Sequence, residues 1–166
     1  MRRDATHRMH SPLMLITNTD LFATWGSHSP KGFTMQVGKE KLLWMYEKMV
    51  QIRYYEETMA AVYMEGKLPP AIQKGLAFDI GAGPVPGEMH LAAGQEPVAV
   101  GVCAHLTDDD TVVGTHRPHH FAIAKGVPLN PMTAEMFGKV TGLGKGKGGH
   151  MHLFDNAHKF SCSGII

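Results

Sequence analysis

Cysteine and tryptophan are scarce in this 166-residue chain, at two of each. Cys103 lies in an apolar run and Cys162 near the C-terminus, in neither a CxxC pair nor a zinc spacing. That excludes a disulfide scaffold and a cysteine-built metal site, and it implies reduced thiols in a cytoplasmic protein. A charge of one sign is missing as well. Sixteen basic against fifteen acidic residues leave +1, so no global field draws the chain to nucleic acid or to an anionic membrane, and any anion site must be local. No apolar run approaches the roughly 18 residues of a membrane span. Glycine (19), methionine (12) and histidine (11) are plentiful, in a chain 43% hydrophobic and long enough for one domain with a core.

The first 38 residues stand apart. Arg2, Arg3 and Arg8 give a presequence flavour, but Asp4 and Asp20 interrupt it, and "LMLI" is too short for a secretory core. Residues 1–38 are therefore expected to be a disordered extension, and Met35 is a plausible alternative start. From Lys39 to about Lys67, Leu42, Met45, Met49, Ile52, Met59 and Tyr63 recur at steps of three and four or their multiples, which predicts a long amphipathic helix. Glu56 falls on the apolar stripe and needs a partner; Arg53, one turn earlier, is the nearest. Gly66, Pro69 and Pro70 stop this helix, and Ala71 to His90 reads as a long loop of the kind that is functional or disordered.

A second helix should begin at Glu96 and Pro97, with Val98 to Leu106 buried on nearly every side. Asp108, Asp109 and Asp110 read as a solvated turn leading into a short β-branched strand, "TVVG". Pro118 and Gly126 bracket a short helix, and "NPMTAEMFGKV" predicts another. The order points to an α/β domain whose working loops lie at a strand end.

Three clusters carry candidate chemistry. In "THRPHH", Arg117 follows a strand at a helix start, where guanidinium and backbone N–H groups suit a diphosphate; an ion pair with Asp110 or Glu135 is the alternative. His116, His119, His120, His150 and His152 offer imidazoles for a metal, yet no recognised ligand spacing completes a site. The stretch "GKGKGGHMH", Gly144 to His152, holds the letters GxGxxG, but a helix precedes it and no Gly-Lys-Ser/Thr follows. It remains either a loop that brings backbone close to an anion or a disordered surface loop. His90, between the long loop and the second helix, either shuttles protons in a cleft or bonds within the core.

Taken in order, "MHLAAGQEPVAVGV", "GTHRPHHFAIAKG", "AEMFGKVTGLGKGKGGHMHLF" and "SGII" resemble the alpha subunit of thiamine-diphosphate-dependent 2-oxo acid dehydrogenases, the pyruvate, branched-chain 2-oxo acid and acetoin group. The resemblance runs from about Met35 to Ile166. It implies the N-terminal part of a thiamine-diphosphate-binding fold, α/β and helix-rich, with the first strands of a parallel sheet over 39–166. It further implies that Arg117 and His116 grip the cofactor diphosphate, that Gly164 and Ile166 contact the aminopyrimidine through their backbone, and that His90 is catalytic in proton transfer and acyl transfer. The glycine-rich stretch would lie beside the cofactor channel, with His150 in place of a frequent serine.

The resemblance also implies an oxidoreductase subunit that decarboxylates a 2-oxo acid, or cleaves acetoin, and passes the acyl group to a lipoyl-bearing acyltransferase in a heterotetramer with a beta subunit. Family members hold Mg²⁺ with a Gly-Asp-Gly segment and a later asparagine, and this sequence contains no Gly-Asp-Gly. It is therefore expected to be an N-terminal portion, inactive alone, with no metal ligands of its own. The rival expectation is a non-catalytic, histidine-rich binding or assembly module.

Overall fold

The computed structural model describes residues 37–67 and 80–162. Residues 1–36 of the expected 1–38 extension, residues 71–79 of the Ala71–His90 loop, Gly164 and Ile166 fall outside those residues.

Helix α1, Lys39–Met64, forms where the three- and four-residue spacing predicts it and buries Ile52, Tyr55, Glu56 and Met59. It is less one-sided than the stripe implied. Leu42 is exposed, and a second apolar line of Leu43, Tyr46, Val50 and Tyr54 faces outward at helical spacing. Past the helix end, Lys67 is fully buried because its ammonium donates to the carbonyls of Ile80 and Ala82, each at 2.7 Å, and lies over the Tyr63 ring.

Helix α2, Glu96–Cys103, starts with Pro97 in its first turn, where a missing N–H costs nothing. Its inner face, Ala99, Val100 and Cys103, is buried. Burial on every side is not found: Val98 is 59% and Val102 47% exposed, one turn apart on the outer face. An eight-residue helix on the surface of one domain has neighbours on one side only. Lys41 ties α1 to the end of α2, donating to the Ala104 carbonyl at 2.6 Å.

Strand β1, Val112–Gly114, leads through residues 115–118 into α3, His119–Lys125, and then α4, Leu129–Met136. Gly126 ends α3 with a left-handed φ of 97°, a conformation that a side chain resists. A single 3₁₀ turn at His150–His152 precedes β2, Phe154–Asp155, and β3, Phe160–Cys162. The sheet order is β1-β3-β2, with β1 parallel and β2 antiparallel to β3. The expected parallel sheet is thus mixed, because β2 and β3 are joined by a tight turn at residues 156–159, and such a turn can only return a chain antiparallel.

Ile52, Val100, Ile123, Met132, Leu153 and Phe160 are essentially inaccessible and meet in one core. Each such side chain contributes about 1.5–3 kcal/mol on leaving water. This core fixes the flanks of the segment around His90, the β1–α3 connection and the glycine-rich loop.

Candidate active site

Three segments converge. His90 lies in the irregular chain before α2, His116 and Arg117 in the β1–α3 connection, and His150 at the end of the glycine-rich loop. The His90 backbone N–H donates to His150 Nε2 at 2.9 Å, and His90 Nδ1 lies 3.2 Å from the same atom. His116 sets its ring edge-on to His90 at a centroid distance of 4.8 Å. Arg117 donates through Nη1 to the carbonyl of Leu91, the residue after His90. His90, His116 and Arg117, expected to work together, are therefore neighbours.

Protonation follows from these contacts. His150 Nε2 accepts the His90 amide proton, so it bears none itself. Burial, with the nearby imidazoles of His119, His90, His152 and His116, holds the pKa of His150 down to about 3, so the ring is neutral with its proton on Nδ1. For His90 Nδ1 to bond the same lone pair it must carry the proton, and His90 Nε2 is then the basic nitrogen. The exposed Glu88 carboxylate stands 3.9 Å from His90 Nε2, too far to hydrogen-bond.

Behind this layer sits a fully buried pair that sequence reasoning assigned otherwise. Glu56 does not pair with Arg53. Its Oε1 accepts from His119 Nδ1 at 3.0 Å, and its Oε2 accepts from the Ala92 N–H at 3.0 Å. Both side chains of the Glu56–His119 pair are 0% exposed. Arg53 turns instead to Glu96, with Nε to Oε1 at 2.6 Å. The Arg53 bond, helped by the Gly94 N–H against the effect of burial, lowers Glu96 to about 2. The mismatch between an apolar stripe and a carboxylate was the signal for Glu56; its partner lies 63 positions away.

Arg117 is not paired with Asp110 or Glu135. Asp110 accepts from the N–H and hydroxyl of Thr107 at 2.7 and 2.8 Å. Glu135 is wrapped by the glycine-rich loop: Gly144 and Gly146 donate to Oε2 at 2.7 and 2.8 Å, and Gly148 to Oε1 at 2.7 Å. The phosphate-cradle and disordered-loop readings of "GKGKGG" therefore both give way. The loop's donors are engaged by a carboxylate tethered on α4, which no free anion matches for local concentration. Burial works to raise the Glu135 pKa, but the N–H groups of Gly146, Gly148, Gly144 and Gly149 outweigh it and hold the carboxyl below its usual range.

The residues present fit a polar, anionic ligand. Among the described residues Arg117 has no carboxylate partner, and the buried ring nitrogens His116 Nδ1, His119 Nε2 and His120 Nδ1 have no hydrogen-bond partner. Such atoms are costly unless something bonds them. The anion handle is the guanidinium of Arg117 and not a helix end, since α3 has only seven residues. Among the described residues no group of three or more His, Cys, Asp or Glu is arranged to hold a metal ion. The grooves along the outer face of α1, lined by Tyr46, Val50 and Tyr54 among others, include none of these histidines.

Residues 71–166 match the family model for the dehydrogenase E1 component. Over 133 residues the chain is 47% identical to the alpha subunit of acetoin:2,6-dichlorophenolindophenol oxidoreductase of Bacillus subtilis (strain 168), covering 80% of this chain and 35% of that protein. It is 40% identical over 122 residues to the pyruvate dehydrogenase E1 component subunit alpha of Porphyra purpurea, covering 74% of this chain and 30% of the relative. A third relative, pyruvate dehydrogenase E1 component subunit alpha of Zymomonas mobilis subsp. mobilis, is 36% identical over 130 residues, with 77% and 32% covered. The chain thus spans about a third of the length of these curated relatives. With His90, His116 and Arg117 gathered in the matched segment, the chain belongs to the dehydrogenase E1 component family.

Proposed function

We propose that this chain serves in the alpha subunit of a thiamine-diphosphate-dependent dehydrogenase that decarboxylates a 2-oxo acid or cleaves acetoin and passes the acyl group to a lipoyl carrier. The observation that carries the reading is the meeting of His90, His116 and Arg117 in one cluster with unsatisfied polar capacity. When bound, thiamine diphosphate supplies the electron sink that cleavage beside a carbonyl requires. Arg117 would hold its diphosphate, with His116 beside it. His90 Nε2 takes or returns a proton at the reacting end, its ring fixed through Nδ1. Gly164 and Ile166 are assigned to the aminopyrimidine, and no residue of this sequence is assigned to Mg²⁺.

Partners follow the same reading: a beta subunit, a lipoyl-bearing acyltransferase and a small 2-oxo acid or acetoin, in the cytoplasm. The exposed line of Leu43, Tyr46, Val50 and Tyr54, with Val98 and Val102 on α2, supports a subunit contact, since an apolar strip of this kind is costly to leave in water.

Calorimetric titration of thiamine diphosphate into a family-length chain assembled with its beta subunit tests the proposal. Arg117→Ala should weaken binding by about 1.5–3 kcal/mol, roughly tenfold or more, as for a hydrogen bond to a charged group. An unchanged Kd would reassign Arg117 to holding the Leu91 carbonyl alone.

A further inference from the structure

Glu135 bonds the glycine-rich loop and not His90, His116 or Arg117 among the bonds described, and it is wholly buried. Three backbone N–H groups of the glycine-rich loop grip it, two on one oxygen and one on the other. The last of these donors, Gly148, is two residues before His150, whose Nε2 accepts the His90 amide proton and lies 3.2 Å from His90 Nδ1. A continuous chain of contacts therefore runs from α4, through the loop backbone, to the tautomer of His90.

We propose that Glu135 is a positioning residue: by clasping the N–H groups of Gly144, Gly146 and Gly148 it seats His150 against His90, and this keeps the proton of His90 on Nδ1 and the lone pair on Nε2.

The loop is built for this clasp. A Cβ on Gly142 would lie 2.5 Å from both Glu135 Cα and Oε2, one on Gly144 would lie 3.1 Å from Oε1, and one on Gly148 would lie 2.8 Å from the His152 carbonyl. At Gly146 the backbone has φ 75°, so a side chain there is strained as well as crowded. Gly142 and Gly144 thus serve close approach to the internal carboxylate, and Gly146 and Gly148 close approach to the backbone of Gly138 and His152, while Lys145 and Lys147 are exposed. Without the carboxylate, three N–H groups lose their acceptor, and the loop has no other anchor between Lys147 and the 3₁₀ turn among the bonds described. His150 would then lose its fixed distance to His90, and a neutral imidazole without a fixed partner samples both tautomers.

The inference rests on the proposed role of His90 only for its catalytic meaning, and its test needs neither cofactor nor turnover. The chain is labelled with ¹⁵N and its imidazole nitrogens and loop amides are followed by NMR. In the unmodified chain His90 should show a protonated Nδ1 and a bare Nε2, His150 a bare Nε2, and the amides of Gly144, Gly146 and Gly148 should exchange slowly with solvent. Glu135→Gln keeps one acceptor oxygen but turns an amide N–H toward the Gly148 N–H. It should speed exchange at Gly148 by about tenfold or more, the equivalent of losing a bond to a charged acceptor, and convert His90 to a mixture of tautomers. Should Glu135→Gln fail to fold, Glu135→Asp withdraws the carboxylate by one methylene and is read in the same way.

His150→Ser supplies the opposite arm: the His90 tautomer should be lost while the three glycine amides stay protected. A tautomer mixture at His90 in the unmodified chain overturns the proposal. So does a variant at Glu135 that frees the loop amides and leaves His90 as it was. Either result leaves the Arg117 titration to judge the cofactor reading on its own.

Discussion

The Glu56–His119 pair offers the sharpest quantitative test of the fold. Glu56 is 0% exposed and its two oxygens accept from His119 Nδ1 and from the Ala92 N–H. Glu56→Leu keeps the approximate volume and removes both acceptors. Each buried donor left without a partner costs about 1–3 kcal/mol. The sum is roughly 2–6 kcal/mol. Since domains of this size are stable by only about 5–15 kcal/mol, the variant should lose a large part of its stability. The melting temperature should fall by roughly 10 °C or more.

Urea unfolding followed by circular dichroism at neutral pH measures this loss directly, with the slope checked for two-state behaviour. His119→Phe in the same background removes one of the two orphaned donors. The double variant should therefore be less destabilised than the sum of the singles by about 1 kcal/mol or more. A loss below about 1 kcal/mol for Glu56→Leu, with an unchanged slope, would refute the claim that this carboxylate satisfies two buried donors.

Three further outcomes follow from the same geometry. In a complete enzyme His90→Ala should slow acyl transfer by about 10²–10⁴ with cofactor affinity unchanged, measured by single-turnover kinetics; normal transfer per folded site in a destabilised protein would return His90 to a packing role. Acid should destabilise the chain in two stages, because His150 falls from 6.5 to about 3 and Glu96 from 4.5 to about 2 on folding. For both groups the unfolded state binds more protons, so stability present at neutral pH is lost as pH falls, first below about 6.5 and again below about 4.5. A urea midpoint that stays level between pH 7.5 and pH 5 would contradict the neutral, buried His150. Gly142→Ala should destabilise by about 1–3 kcal/mol through overpacking against Glu135, and wild-type stability would show that the loop yields freely.

Elements that depend on local spacing were legible in the sequence, and partners that depend on tertiary contact were not. The three- and four-residue rhythm located α1, and Pro118 and Gly126 located α3, because steric rules at helix ends act within a few residues. The two-residue β2 left no pattern to read, and the inner and outer faces of α2 carry similar apolar residues, so Val98 and Val102 gave no sign of being exposed. The family resemblance named His90, His116 and Arg117, and the fold sets His116 against His90 and Arg117 on the carbonyl of Leu91 beside it. The carboxylates were harder. Arg53 stood one turn from Glu56 and Glu135 was a plausible mate for Arg117, yet Glu56 took an imidazole and a backbone donor from distant segments and Glu135 took backbone donors from the loop that follows it.

The physical reason is desolvation. On a surface, a neighbour four residues away is an adequate counter-charge, as the 3.8 Å contact between Arg53 and Glu57 illustrates. A carboxylate with no access to water needs every lone pair directed at a donor, and N–H groups fixed by the fold supply that direction without the entropy cost of ordering a long basic side chain. Where a sequence sets an acidic residue in an apolar stripe beside glycine-rich or histidine-rich segments, the expected partner is therefore backbone or imidazole from another element. On that reasoning Glu56 and Glu135 act as the internal acceptors around which the segments bearing His90, His116, Arg117 and His150 are assembled.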